Sequence, residues 1–378
     1  MIEIKEVKTK KDWKNFASFP LALYKNEKNY VPALFDDERN LANVKKNFSA
    51  VGCTVKAFLC YKDGSLAGRI AGIIVDESNK KWNEKAVRFS RFDFIEDISV
   101  ASALLDAVKN FGKEQGMTRM HGPWGFNDTD REGLLTFGFE EEGSFATNYN
   151  FPYYAEFLEK LGYQTESVWI EERLDMPKSK DDPIYQKYDG LRNFIGQKFG
   201  LKELADKMSV KQIVKRYGDK FFDCYNQAYQ NLDMYVKVEG DAKKVVLRQF
   251  ATLVNPKFFS VIIDKNDDVV AFAVVLPAIG RAFKKHDGKL TIPCLIDLFK
   301  ILKKPEKVEL TLVAVTPEYK KIGINAMCIA RILESVIDEK VSDVVSDPTL
   351  ETNTAVRAQW KNIPSVTIKR RQTYTINI

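Results

Sequence analysis

The residues best suited to chemistry lie near the end of the 378-residue chain. An apolar run of β-type composition, residues 308–315, breaks into Thr316-Pro317-Glu318-Tyr319-Lys320-Lys321-Ile322-Gly323-Ile324-Asn325, and a helical apolar pattern follows. A strand that ends in a glycine-containing loop and opens a helix leaves the first helical N–H groups unpaired, and the helix dipole favours an anion there. Lys320 and Lys321 add point charges that pair with phosphate oxygens, and Gly323 lets the backbone come close to a ligand. Phosphate or pyrophosphate capture is the chemistry this spacing predicts. A plain strand-to-helix turn punctuated by Pro and Gly is the other reading of the same residues.

Other chemistries have less to stand on. The two histidines, His121 and His286, are far apart and show no partner spacing, which argues against a His-based triad or a metal centre. Five scattered cysteines, none in a CxxC pair, suggest neither a disulfide framework nor a zinc site. The formal charge of +6 arises from Lys+Arg 58 against Asp+Glu 52, spread without a continuous basic stripe, so nucleic acid is not expected as the main partner. Charged residues occupy the N-terminus where a signal peptide needs an apolar stretch, and apolar runs end quickly. A soluble, cytoplasmic protein with no membrane partner is expected.

The elements that must position the loop occur twice. Residues 58–75 read as a β-hairpin around Asp63-Gly64, and residues 260–277 read as a second one around Asn266-Asp267. A strand at 88–94 and a helix at 100–115 follow the first; a strand at 308–315 and a helix at 325–340 follow the second. The spacing is that of an internal duplication giving two α/β domains, 1–177 and 178–378, parted at the polar, Pro-flanked stretch 176–183. The first half has Ile95-Glu96-Asp97-Ile98-Ser99 where the second has its glycine loop. Two carboxylates there suit the helix dipole and repel a phosphate, so only the second half is expected to bind one.

The run from Val315 to Asn325 resembles the acetyl-CoA-binding pattern V-x-P-x-Y-[RQ]-x-x-G-x-[GA] of the GNAT acyltransferase superfamily, with Lys320 in the Arg/Gln place and Asn325 in the small-residue place. Tyr30-Val31-Pro32, Asp37-Glu38-Arg39, Gly122-Pro123, Asn127, Gly133-Leu134-Leu135, Gly138-Phe139 and Pro152-Tyr153-Tyr154 extend the likeness over almost the whole chain, to bacterial tandem-GNAT acetyltransferases. The resemblance implies two GNAT-like domains, each a mixed, mostly antiparallel sheet flanked by helices. It also implies acetyl-CoA or another acyl-CoA as cofactor, with a small-molecule or peptide amine as acceptor.

By the same resemblance, backbone groups of Val313 and Val315 hold the pantetheine arm, with Ala314 between them among the cofactor-binding residues. Backbone groups of Lys321, Ile322, Gly323, Ile324, Asn325 and Ala326 hold the pyrophosphate, and Lys320 is a further cofactor-binding residue. Glu309 stands where a strand carboxylate often serves as base, although an exposed strand-end Glu is the commoner case. Asn353 contacts the cofactor or caps a helix, and Trp360 takes the place of the usual tyrosine acid. Tyr225, Tyr229 and Tyr235, like Trp124, Phe126, Tyr149, Tyr153 and Tyr154 in the first half, either shape an acceptor pocket or pack a core. Two alternatives stand beside acyl transfer: a Fem-like aminoacyl transferase using charged tRNA, and a GNAT pair that binds ligands without catalysis.

Overall fold

The computed structural model describes residues 1–378 except 205–207, 233–234, 236, 238–239, 241–242, 244–245 and 248–253. The chain divides into two compact units: residues 1–170, 280–295 and 368–378 form the first, and residues 171–279 and 296–367 form the second.

The first unit runs β1 (Ile2–Glu6), α1 (Lys10–Leu23), α2 (Phe35–Arg39), β2 (Cys53–Lys62), β3 (Ser65–Val75), α3 (Asp76–Trp82), β4 (Ala86–Phe94), α4 (Ile98–Glu114), β5 (Arg119–Gly122), β6 (Leu134–Phe137) and α5 (Tyr153–Lys160). Asp63 and Gly64 join β2 to β3 with φ of 50° and 80°, the paired positive angles of a two-residue hairpin turn. Strands β1 to β4 are antiparallel neighbours, and β4 then pairs with β5 in parallel. The chain's last strand, β14 (Ser365–Asn377), closes this sheet by pairing antiparallel with β5, Tyr374 opposite Gly122. Helix α4 lays Val100, Leu104, Leu105, Val108 and Phe111 on the sheet face that carries Ile70, Ile74, Phe89 and Phe94.

Strand β7 (Gln164–Leu174) starts in the first unit and ends in the second. There follow α6 (Pro183–Phe199), β8 (Lys202–Glu203), α7 (Val210–Tyr229), β9 (Phe259–Ile263) and β10 (Val269–Pro277). Beyond α8 (Gly280–Lys285) and α9 (Ile292–Lys303) come β11 (Lys307–Val315), α10 (Asn325–Asp338), β12 (Asp343–Ser346), β13 (Thr349–Leu350) and α11 (Thr354–Arg357). The second sheet repeats the first: β8 to β11 antiparallel, β11 parallel to β12, and the end of β7 closing antiparallel on β12, Leu174 opposite Val344. Helix α10 buries Met327, Ile329, Ile332, Leu333 and Val336 in its core, as the 3.6-residue spacing requires. The hairpin, strand, helix, strand order expected of a duplicated chain is present in both units.

Candidate cofactor cradle

The cradle begins with a fault in β11. Val274 faces Leu312 and Val275 faces Leu310, so Thr311 is an extra residue, a β-bulge that re-aims the strand. Its hydroxyl donates to the Val274 carbonyl at 2.9 Å. Parallel pairing with β12 ends at Leu310 opposite Ser346, while β11 runs on to Val315 against β10. Past Leu310, therefore, one edge of β11 is released from β12.

Strand alternation decides which groups face that edge. Thr316 donates its N–H to the Val270 carbonyl at 2.9 Å, so Ala314 and Leu312 also turn toward β10, and the backbone groups of Val313 and Val315 turn the other way. The Tyr229 hydroxyl, on α7, donates to the Val313 carbonyl at 3.2 Å and so marks the released edge. Tyr229 stacks on Tyr225 with ring centroids 4.6 Å apart. An extended ligand carrying amides adds to an edge of this kind much as another strand would.

The strand then enters a 3-10 turn, Pro317–Ile322, pinned by the Tyr319 hydroxyl bond to Asp264 Oδ2 at 3.2 Å. Gly323 follows at φ 76°, a left-handed angle that glycine adopts without strain. Helix α10 opens at Asn325 with no side-chain cap, and Ala326 N–H to the Gly323 carbonyl and Met327 N–H to the Ile324 carbonyl, both at 2.9 Å, tie its first turn to the loop. Lys320 and Lys321 are exposed beside it. The residues from Val313 to Ala326 named from sequence thus form one continuous strand, turn and helix start.

The first unit answers differently at the same places. Asp97 caps α4, accepting from Ser99 N–H at 2.8 Å and pairing with Lys62. The Lys62 bond, followed by the Ser99 bond, holds the Asp97 carboxyl down at about 2. A carboxylate therefore already sits at that helix N-terminus. Just upstream, at the end of β4, Phe94 N–H donates to the Tyr154 hydroxyl at 2.9 Å and the Phe94 carbonyl accepts from Tyr153 at 2.7 Å. The chain's own phenols fill that stretch of backbone.

Three residues named for roles need closer placing. Glu309 is 6% exposed, because β10 and β12 flank it on both sides (opposite Leu276 and Val345), so the exposed strand-end reading is corrected. Asn353 caps α11, its Oδ1 accepting from Val356 N–H at 3.2 Å. Trp360 is buried in the apolar core of the second unit. Tyr235 donates to Asn226 Oδ1 at 2.6 Å, and Trp124 and Phe126 are core residues of the first unit.

A cavity in the first unit was not foreseen as a site. About 40 Å³ in volume, it is lined by Tyr30, Glu38, Arg69, Arg91, Asp93 and Arg131 among others. Glu38 accepts from Arg69 Nη1 at 2.7 Å and Arg91 Nε at 3.2 Å, and Asp93 accepts from Arg69 Nε at 2.7 Å. Glu38 stood in the sequence only as part of a resemblance; the positive φ of Arg91, 49° at a bulge in β4, is what carries that side chain to it.

No family model matches the chain. A tandem GNAT protein from the clavulanic acid biosynthesis pathway, solved without acetyl-CoA, superposes with a TM-score of 0.53 at 12% identity, covering 100% of this chain and 98% of that one. The fold is that of a tandem GNAT protein. A GCN5-related N-acetyltransferase from Sphaerobacter thermophilus gives a TM-score of 0.51 at 8% identity, over 100% of this chain and 95% of that one. Among curated proteins, Protein YghO of Escherichia coli (strain K12) is 25% identical over 97% of this chain and 93% of its own. A shorter match, 25% identical over 159 residues, covers 42% of this chain and 41% of the Bacterial ceramide synthase of Caulobacter vibrioides.

Proposed function

We propose that the protein is an N-acyltransferase that moves an acetyl or longer acyl group from acyl-CoA to an amine, with the cofactor held by the second unit. The observation that carries this reading is the released edge of β11 leading into an uncapped helix start at Gly323. Amides of a pantetheine arm match the Val313 and Val315 edge, and a pyrophosphate matches the positive end of the α10 dipole with Lys320 and Lys321 beside it. The name of the shorter relative agrees, since a ceramide is an N-acylated long-chain amine.

When bound, acyl-CoA supplies an activated thioester carbonyl. Glu309 takes the proton from the attacking amine, directly or through water. The Val313 N–H, on the released edge, is the donor for the oxyanion that develops. Trp360 cannot serve as acid, because an indole N–H is not acidic and the ring is buried. The Tyr229 hydroxyl is the phenol on this edge and is assigned the proton for the departing thiolate. The test is release of free thiol from acetyl-, octanoyl- and palmitoyl-CoA across a panel of amines, long-chain amines included. Turnover with at least one pair is expected, with Glu309→Gln lowering kcat by about 10²–10⁴ at little change in KM for the acyl-CoA. Thiol release no faster than without protein, for every pair, contradicts the reading.

A further inference from the structure

Helix α9 presents an apolar face that stays exposed among the described residues. Leu290, just ahead of it, and Ile292, Leu295, Ile296 and Phe299 on it are between 51% and 76% exposed, while Cys294 and Leu298 on the opposite side are 0% and 6% exposed. Positions 292, 295, 296 and 299 follow the i, i+3, i+4, i+7 rule, so these four side chains form one stripe of a single helix. A contiguous stripe of large aliphatic and aromatic groups is an interaction surface far more often than scattered exposed apolar residues are.

Its surroundings say what covers it. Between residues 284 and 306 the chain carries six lysines, Lys284, Lys285, Lys289, Lys300, Lys303 and Lys304, against three acids, Asp287, Asp297 and Glu306. Lys300, Lys303 and Lys304 are exposed at the C-terminal end of the stripe, and Lys284 and Lys289 lie exposed before its start. Apolar groups flanked at both ends by ammonium groups match a bilayer interface: side chains enter the acyl boundary while lysines meet anionic headgroups. The helix has 12 residues, roughly 18 Å at 1.5 Å per residue, too short to cross a core of about 30 Å, so its geometry suits contact in the plane of a membrane and not across it.

We propose that α9 docks the protein reversibly on an anionic lipid surface. The contact is made by Ile292, Leu295, Ile296 and Phe299 and reinforced by the lysines at its two ends. It stands independently of the acyltransferase reading, though it would bring a lipid-borne amine to the protein. Co-sedimentation of the full chain with sucrose-loaded vesicles tests it, comparing phosphatidylcholine alone with phosphatidylcholine containing 30% phosphatidylglycerol at low and high salt (about 0.05 and 0.3 M).

Binding to the anionic vesicles, weakened by salt, is expected. The double variant Ile292→Ser/Phe299→Ser is expected to lower the partition coefficient at least tenfold, and Lys300→Glu/Lys303→Glu to do the same for anionic vesicles. All four side chains are exposed, so circular dichroism and melting should be unchanged in both variants. Three results would overturn the proposal. One is no vesicle binding by the wild type at either salt concentration. Another is binding that both variants retain in full. The third is a wild-type dimer that Phe299→Ser dissociates without any vesicle binding, which would make the stripe an interface between copies of the chain.

Discussion

Glu38 sits between two arginines in the first unit at 4% exposure. Burial alone would raise its carboxyl, but the charges of Arg69, Arg91 and Arg131 together outweigh burial and hold it at about 2, against an ordinary 4.5. A folded-state value below the unfolded one adds stability that is full above pH 4.5 and is lost as pH falls toward 2. Glu38→Gln should therefore be less stable at pH 7 by about 3 kcal/mol, because it leaves two buried guanidinium groups short of a partner. Its melting temperature should also fall less steeply than the wild type's between pH 4.5 and 2, as a melting series across pH will show. None of this network could be read from spacing, since Glu38, Arg69 and Arg91 come from three separate elements. Gly323 was legible because its requirement is local: a turn between a strand and a helix fixes its φ.

The two helices that follow the bulged strands show how far local signals reach. Asp97 was expected to occupy the start of α4, and it does so as an N-cap; Asp97→Ala should cost about 1 kcal/mol by chemical denaturation, with Asp97→Asn closer to wild type. The boundaries of α4 and α10 agree with the apolar periodicity to within two residues at each end. Strand-level detail was less accessible. The Thr311 bulge and the end of β12 pairing at Leu310 depend on neighbouring strands far away in sequence, and these two faults are what release the β11 edge. The exposure of helix α9 was not legible for another reason: its apolar residues fit a buried element as well as an exposed one, and only the packed structure shows that one side stands in the open.

On the scale of the whole molecule, the duplication was legible from the two hairpins and the strand-helix pairs behind them, whereas the closing strands were not. The first sheet ends with the last strand of the chain: Thr373 and Tyr374 are fully buried, and Arg371 donates to the Asn148 carbonyl at 2.6 Å and to Thr147 Oγ1 at 2.9 Å. A chain stopped at residue 367 should lose amide exchange protection in β5, where residues 119–122 give up their β14 partners, while β10 and β11 keep theirs. Hydrogen exchange read by mass spectrometry distinguishes this from uniform destabilisation.

The central claim is that the strand, turn and helix start from Val313 to Ala326 form a CoA site. Isothermal titration with CoA tests it most directly, on the wild type and on two variants. Gly323→Val puts a branched side chain at a left-handed angle, and Lys320→Ala/Lys321→Ala removes the adjacent charges. The account predicts saturable binding by the wild type that weakens with salt, at least tenfold weaker binding for each variant, and no change for Asp97→Asn in the first unit. An absence of CoA binding at millimolar concentration, or binding that both second-unit variants retain and Asp97→Asn alters, would contradict it.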